Sequence, residues 1–302
     1  MILLLSACSG SLSNAIFLED ADFLDALPGG EGLGVEYPGS PTPDADDASY
    51  FQTTVQTLDG LQDWSRLITT VTATVRAVPP STRGEDYRIW GPGAWDVYPG
   101  SFLRLEMSRT SDHGLYHWTF QASEMSDGPW TEFMTGETWA EGDWDVELEW
   151  DQAALAEAID AGGEGSLELA YAAMEEGGVI VQIDSQGYAT AFEQAQSTRM
   201  WLDAPADGSG ELQFAMRMDA NPGELLPRDE DIELITRWDS SGTGRADGTI
   251  EGGDYPYPGL VLTQCWSEDG VLTFKADSEG VNPAEGSETD CPYMDVGVVD
   301  EL

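Results

Sequence analysis

The stretch Trp144-Asp145-Val146-Glu147-Leu148-Glu149-Trp150 alternates apolar and polar side chains without a break. Period-two alternation puts every second side chain on one face of an extended strand, so one face can be buried while the other meets water. Similar runs recur on both sides of it, each closed by turn residues. Phe102–Met107 ends at Ser111-Asp112-His113-Gly114, Leu115–Ala122 ends at Ser126-Asp127-Gly128-Pro129, and Trp130–Trp139 precedes the quoted stretch. Beyond it lie Leu167–Tyr171, Val179–Asp184, Thr198–Leu202, Leu212–Met218, Ile232–Trp238, Leu260–Trp266 and Leu272–Lys275. Close spacing and tight turns dictate antiparallel, up-and-down pairing, because parallel neighbours need long crossovers. A sheet of about ten such strands must curl, close or split.

Two helices interrupt the pattern. Phe51, Val55, Leu58, Leu61, Trp64, Ile68, Val71, Val75 and Val78 recur every three or four residues, which predicts one amphipathic helix over 49–78, stopped by Pro79-Pro80. The β-branched run Thr69–Val75 and Gly60 weigh against its later half and its middle. Asp151 reads as the N-cap of a second helix, Gln152–Ala161, ended by Gly162-Gly163. The expected fold is mainly β (α+β): a large curved antiparallel sheet, or an open or half barrel, with the N-terminal helix packed on one face.

The chain has 302 residues, with 12 basic and 57 acidic side chains and a formal charge of −45. Phosphate backbones are held by Lys and Arg, so no nucleic-acid partner is expected. Anionic membrane surfaces repel such a chain, and self-repulsion on this scale favours a salty medium or divalent cations. Apolar residues make up 41% and aromatics 10%, enough for a packed core. No stretch approaches the roughly 18 consecutive apolar residues of a spanning helix.

Residues 9–48 carry nine acidic residues and no basic one, with Gly29-Gly30, Pro38-Gly39 and Pro41-Thr42-Pro43-Asp44. That composition predicts an acidic, disordered tether over 8–48, with at most a weak helix from Ile16, Phe17, Phe23, Leu24 and Leu27. A single β-rich domain over 49–302 follows.

At the start of the chain, Ile2-Leu3-Leu4-Leu5 runs into Leu5-Ser6-Ala7-Cys8. This resembles the lipobox of bacterial outer-membrane lipoproteins. The resemblance implies that residues 1–7 are a signal remnant, that Cys8 carries diacylglycerol and an acyl chain, palmitate for example, and that the membrane is a partner through that lipid. Buried methylenes contribute about 0.8 kcal/mol each, so two or more chains anchor stably. Ser9, in place of an acidic residue, favours the outer membrane. The apolar run is short and lacks a basic n-region, as a late-called start codon would leave it; the alternative is a cytosolic chain that happens to begin this way. The segment Asp239-Ser240-Ser241-Gly242-Thr243-Gly244-Arg245-Ala246-Asp247 through Cys265-Trp266 also resembles uncharacterised lipoproteins of myxobacterium-like species. The element pattern as a whole is similar to half-barrel lipoproteins and periplasmic lipid carriers, with no functional residue carried across.

With Cys8 taken by lipid, Cys265 and Cys291 remain as an even pair in an exported protein, which implies a disulfide; two free thiols are the alternative. It would close about 27 residues and contribute roughly 3–4 kcal/mol. Candidate sites are sparse. Asp239, Ser241 and Asp247 offer oxygen atoms at alternate positions, a weak calcium candidate against a polar hairpin turn in which Arg245 pairs with an aspartate. No Glu stands at the twelfth position of that loop, which is Ile250. No other cofactor is expected. His113 and His117 lack a third metal ligand, and no G-x-S-x-G nucleophile elbow occurs. Trp90, Trp95, Trp118, Trp130, Trp139, Trp144 and Trp150 suggest either core packing or a sugar-stacking platform. The lipobox resemblance implies an envelope protein, and the sparse candidate sites make the first reading a non-catalytic one, structural or holding an apolar or amphipathic ligand between sheet and helix. A carbohydrate- or calcium-binding surface module is the next reading, and a hydrolase using paired carboxylates comes last.

Overall fold

The computed structural model describes residues 14–28, 35–39, 48–110, 114–139, 145–174, 176–189, 195–218 and 228–293. Among these residues, alternation has become one mainly β architecture: fifteen strands in a single unclosed sheet, every neighbour antiparallel and in chain order. The strands are β1 (Thr82–Arg83), β2 (Tyr87–Ala94), β3 (Phe102–Arg109), β4 (Leu115–Ser123), β5 (Thr131–Trp139), β6 (Val146–Asp151), β7 (Glu164–Ala173), β8 (Gly178–Ala189), β9 (Gln196–Pro205), β10 (Gly210–Met218), β11 (Glu230–Trp238), β12 (Gly244–Glu251), β13 (Leu260–Trp266), β14 (Leu272–Asp277) and β15 (Glu285–Gly286). The edge strands β1 and β15 have two residues each, too short to template pairing with another chain.

Three helices complete the described residues: α1 (Asn14–Asp25), α2 (Ser49–Arg76) and α3 (Gln152–Ile159). α3 starts where Asp151 accepts a hydrogen bond from the Ala154 amide at 2.8 Å, and it ends at Asp160 in the left-handed region. α2 runs unbroken through the β-branched stretch. Thr70, Thr72 and Thr74 each donate a hydroxyl bond to the carbonyl four residues back, at 2.8, 3.0 and 3.1 Å, so their hydroxyls are satisfied within the helix.

The 28 residues of α2 make a rod about 42 Å long. Its first turn is tied to β13, where Gln264 Oε1 accepts from Ser49 Oγ (3.2 Å) and from the Tyr50 amide (3.1 Å). Thr54 meets Thr236 of β11 at 3.2 Å, Trp64 stands edge-on to Trp150 of β6, and the helix also contacts β2. From β2 to β13 is eleven inter-strand steps, about 50 Å along a flat sheet. The sheet therefore bows around the helix, and the apolar stripe of α2 fills the concave side. Phe51, Leu58, Ile68 and Val71 are buried there with Leu105, Phe120, Leu148, Val181, Leu202 and Leu212.

The meander sorts its turns. Among the described residues, the even-to-odd connections 95–101, 124–130, 252–259 and 278–284 emerge at one rim. The described odd-to-even connections 84–86, 206–209, 239–243 and 267–271 emerge at the other.

Parts of the expected acidic tether lie on this sheet. Phe23, Leu27, Val35 and Tyr37 are buried in the core. Asp20 pairs with Arg88 at 2.7 Å and Arg83 at 2.9 Å, Glu19 pairs with Arg88 at 2.9 Å, and Arg76 donates to the Leu27 carbonyl at 2.9 Å. Tyr37 donates to the Gly242 carbonyl at 2.6 Å and accepts from Trp266 Nε1 at 2.9 Å. Charge composition misses this because the counter-charges come from β1 and β2, distant in sequence. The folded body thus takes in segments of 8–48 that composition alone assigns to a disordered tether.

Two further strand assignments differ from expectation. Asp239–Gly242 is a turn, but Gly244–Glu251 continues as β12, and Tyr87–Ala94 forms β2. Glycine and proline hide both from a pattern reading. In β12 the glycines are required by packing: a Cβ on Gly244 would lie 2.5 Å from the Trp266 ring, and one on Gly248 would lie 2.4 Å from Tyr50 Oη.

Candidate ligand groove

The helix covers the concave face unevenly. Beside its middle, α2 presents Thr57, Gly60, Leu61 and Trp64 to a groove of about 510 Å³ whose floor comes from β7 to β10. That volume falls within the roughly 300–1,000 Å³ typical of small-ligand sites. Leu167, Ile183, Met200 and Phe214 supply its apolar floor; Ser185, Tyr188, Gln196 and Thr198 line its end nearer the even-to-odd rim. None of its lining side chains is Asp, Glu, Lys or Arg, in a chain with 57 acidic residues.

Local sequence explains each part. Gly60 sits in the middle of a long helix, where glycine costs roughly 0.5–1 kcal/mol relative to alanine. A Cβ there would meet no atom within 4 Å, so the glycine leaves open space where the helix passes over the sheet. A register shift between Ser185 and Tyr188 bulges β8 and re-aims Tyr188 toward the helix. Its ring lies 5.3 Å from Trp64, which in turn contacts Trp150 at 5.7 Å. Ser185 and Thr198 bond to each other at 2.8 Å, and the Thr198 amide donates to Ser185 at 2.9 Å. Met216, Ile232 and Ile250, in register with Thr198 and with one another, extend the strip across β10, β11 and β12, half-buried.

Family models, curated proteins and solved structures gave no match to this chain.

The sites anticipated from sequence are distributed as follows. Cys8, His113 and Trp144 lie outside the described residues. Cys265 and Cys291 are joined in a disulfide with Cα atoms 5.5 Å apart, pinning the segment after β15 to β13. Asp239 and Asp247 are not brought together. Asp239 Oδ1 closes its own turn, accepting from the Ser241 amide (2.8 Å), Ser241 Oγ (2.6 Å) and the Thr243 amide (3.2 Å). Asp247, within β12, pairs with Arg245 at 3.2 Å and accepts from Thr263 at 2.5 Å. Among the described residues no group of three or more His, Cys, Asp or Glu is placed to hold a metal ion. His117 pairs with Glu137 at 2.7 Å on the convex face. Trp90, Trp95, Trp118 and Trp150 are fully buried core residues, while Trp130 and Trp139 are half-buried.

Carboxylates do converge on the convex face. A cleft of about 430 Å³ is lined by Glu137, Glu147, Glu149, Glu168 and Asp184, with Glu149 facing Glu168 and Glu168 facing Asp184 in register. Arg199 pairs with Asp184 at 3.2 Å. Farther along, Asp203 faces Glu211, whose carboxylate is held by Arg237. Burial, and then the Glu211 charge, raise the Asp203 pKa above the usual carboxylate range.

Sequence reasoning anticipated a space between helix and sheet but not the residues that line it. The one signal available was Gly60, a helix-weakening residue within an otherwise apolar-periodic stretch.

Proposed function

We propose that this chain is a lipid-anchored cell-envelope protein, probed best as a non-catalytic module that receives an apolar or amphipathic ligand in the groove between α2 and β7–β10. The single observation that carries the ligand reading is a groove with an apolar floor and no charged lining in a chain of net charge −45. A soluble body keeps such a strip uncharged at the cost of hydration. Filling it with hydrocarbon recovers about 25 cal/mol per Å² of apolar surface removed from water. Hydroxyl and amide groups at one end suit an uncharged polar group on the ligand. The anchor reading rests on Leu5-Ser6-Ala7-Cys8 and its lipobox likeness.

Titration with N-phenyl-1-naphthylamine, an uncharged apolar fluorophore, tests the groove. Saturable binding that Gly60→Phe abolishes, with an unchanged near-ultraviolet spectrum, is the expected result; binding unaffected by that substitution removes the reading. Radiolabelled palmitate with globomycin tests the anchor separately, and label that survives Cys8→Ala would refute it.

A further inference from the structure

On the convex face, opposite the groove, an aromatic ring and a set of polar side chains form one patch across β8 to β11. β9 alternates through the sheet: Met200, Leu202 and Ala204 are core residues, so Trp201 and Asp203 stand on the convex side. Trp201 is half-buried and faces Gln182 of β8 and Gln213 of β10 in register. One step along the strand, Asp203 faces Glu211 of β10, which in turn faces Arg237 of β11. Register partners lie about 5 Å apart, and same-face neighbours on one strand about 7 Å apart, so the patch is unbroken.

A hollow of about 190 Å³ opens within it, lined by Asp203, Glu211, Arg237 and Tyr293. Tyr293 reaches the hollow because the Cys265–Cys291 disulfide ties the chain after β15 to β13, and the Tyr293 carbonyl accepts from Arg245 Nη1 at 3.0 Å. The two carboxyl groups differ in how they are satisfied. Glu211 is held by Arg237 and accepts from Gln213 Nε2 at 3.0 Å. Asp203, set between Ile180 and Glu211, has a buried Oδ1 with no hydrogen-bond partner. Buried polar atoms are otherwise almost always paired, so this carboxyl is built for a partner the chain does not supply. Burial and the Glu211 charge hold Asp203 toward its neutral acid, which donates as well as accepts. With Glu211 balanced by Arg237, the hollow is close to neutral in a chain of net charge −45.

We propose that this patch binds a neutral oligosaccharide, with one sugar ring lying on Trp201 and the next sending hydroxyl groups into the hollow beside Asp203. A sugar ring joins an apolar C–H face to an edge of hydroxyls that both donate and accept. The indole matches the face. The amides of Gln182 and Gln213, each with donors and an acceptor, match the edge, as does the Asp203 carboxyl. The hollow is smaller than the roughly 300–1,000 Å³ of sites that enclose a whole small ligand, so it takes one end of a ligand whose remainder lies along the face. A divalent cation fits less well, because Arg237 already occupies Glu211 and an uncharged Asp203 offers it little. The proposal does not rest on the groove, which lies on the other face of the sheet.

Calorimetric titration of the full chain carrying Cys8→Ala, disulfide intact and in the presence of chelator, uses the hexaoses of glucose, mannose, xylose and N-acetylglucosamine as probes. Saturable binding of at least one is expected. Trp201→Ala and Asp203→Ala, made separately, should each weaken it at least tenfold. Asp203→Asn, which keeps an uncharged donor and acceptor, should stay within threefold of the parent. Gln213→Ala gives an independent reading, a loss of at least threefold, should Trp201→Ala lower the melting temperature. Gly60→Phe should bind sugar like the parent while losing the fluorophore, which separates this site from the groove. Failure of the parent to bind any of the four hexaoses, binding that appears only when calcium is restored, a loss in Asp203→Asn as large as in Asp203→Ala, or tighter binding of an anionic oligogalacturonate would each overturn the proposal.

Discussion

The indole of Trp266 lies over Gly244, its register partner on the neighbouring strand, so closely that a Cβ on the glycine would fall 2.5 Å from the ring. The relationship recurs at Trp118 over Gly136 and at Trp238 over Gly210, each a cross-strand pair. In every case a large ring covers backbone that glycine leaves bare, which binds adjacent strands and fixes their register. Gly244→Ala is expected to destabilise the protein by about 1–3 kcal/mol through overpacking. Gly93→Ala, where a Cβ meets nothing within 4 Å, should cost far less. Urea denaturation of the two variants checks the contrast, and equal midpoints would contradict it.

Gly60 predicts the opposite sign. Its site on α2 is open and exposed, so Gly60→Ala should raise stability by roughly 0.5–1 kcal/mol through helix propensity. A small gain in stability from alanine and a loss of fluorophore binding from phenylalanine would together identify a position held as glycine for space rather than for backbone conformation.

Acidification should loosen α1 before the sheet. Burial opposes ionisation of Asp20, but hydrogen bonds and charge from Arg83 and Arg88 outweigh it and hold its pKa below the usual carboxylate range. Because the folded value lies below the unfolded one, the contribution is complete above the unfolded pKa of about 4 and fades as pH falls through the folded value. Amide exchange in 14–25 should accelerate in that window ahead of exchange in β7–β9. Asp20→Asn should remove the pH dependence. Its cost should lie toward or below the lower end of roughly 3–5 kcal/mol, because Arg88 keeps Glu19 and the Gly84 and Tyr87 carbonyls.

Cys265 and Cys291 enclose a loop defined by a separation of 26 residues. Replacing both by serine should lower stability by roughly 3–4 kcal/mol on the loop-entropy model, with α2 and β2–β11 retained. The far-ultraviolet spectrum of the double variant, with its melting temperature, measures this; an unchanged melting temperature would count against it.

Sequence by itself determined the strands with clean alternation, such as Val146–Trp150, the course of α2 and the capped start of α3, because period, caps and turn residues act within a few positions. It also determined the excess of acid. Tertiary structure alone decided that the glycine-rich stretch Gly244–Glu251 is a strand, since Trp266 and Tyr50 supply the packing that the strand's own side chains lack. It decided that Phe23 and Tyr37 belong to the core, since Arg83, Arg88 and Trp266 arrive from far along the chain. The uncharged groove is likewise a product of tertiary packing: Gly60, Ser185, Gln196 and Phe214 share no sequence pattern and meet only where α2 crosses β8, β9 and β10.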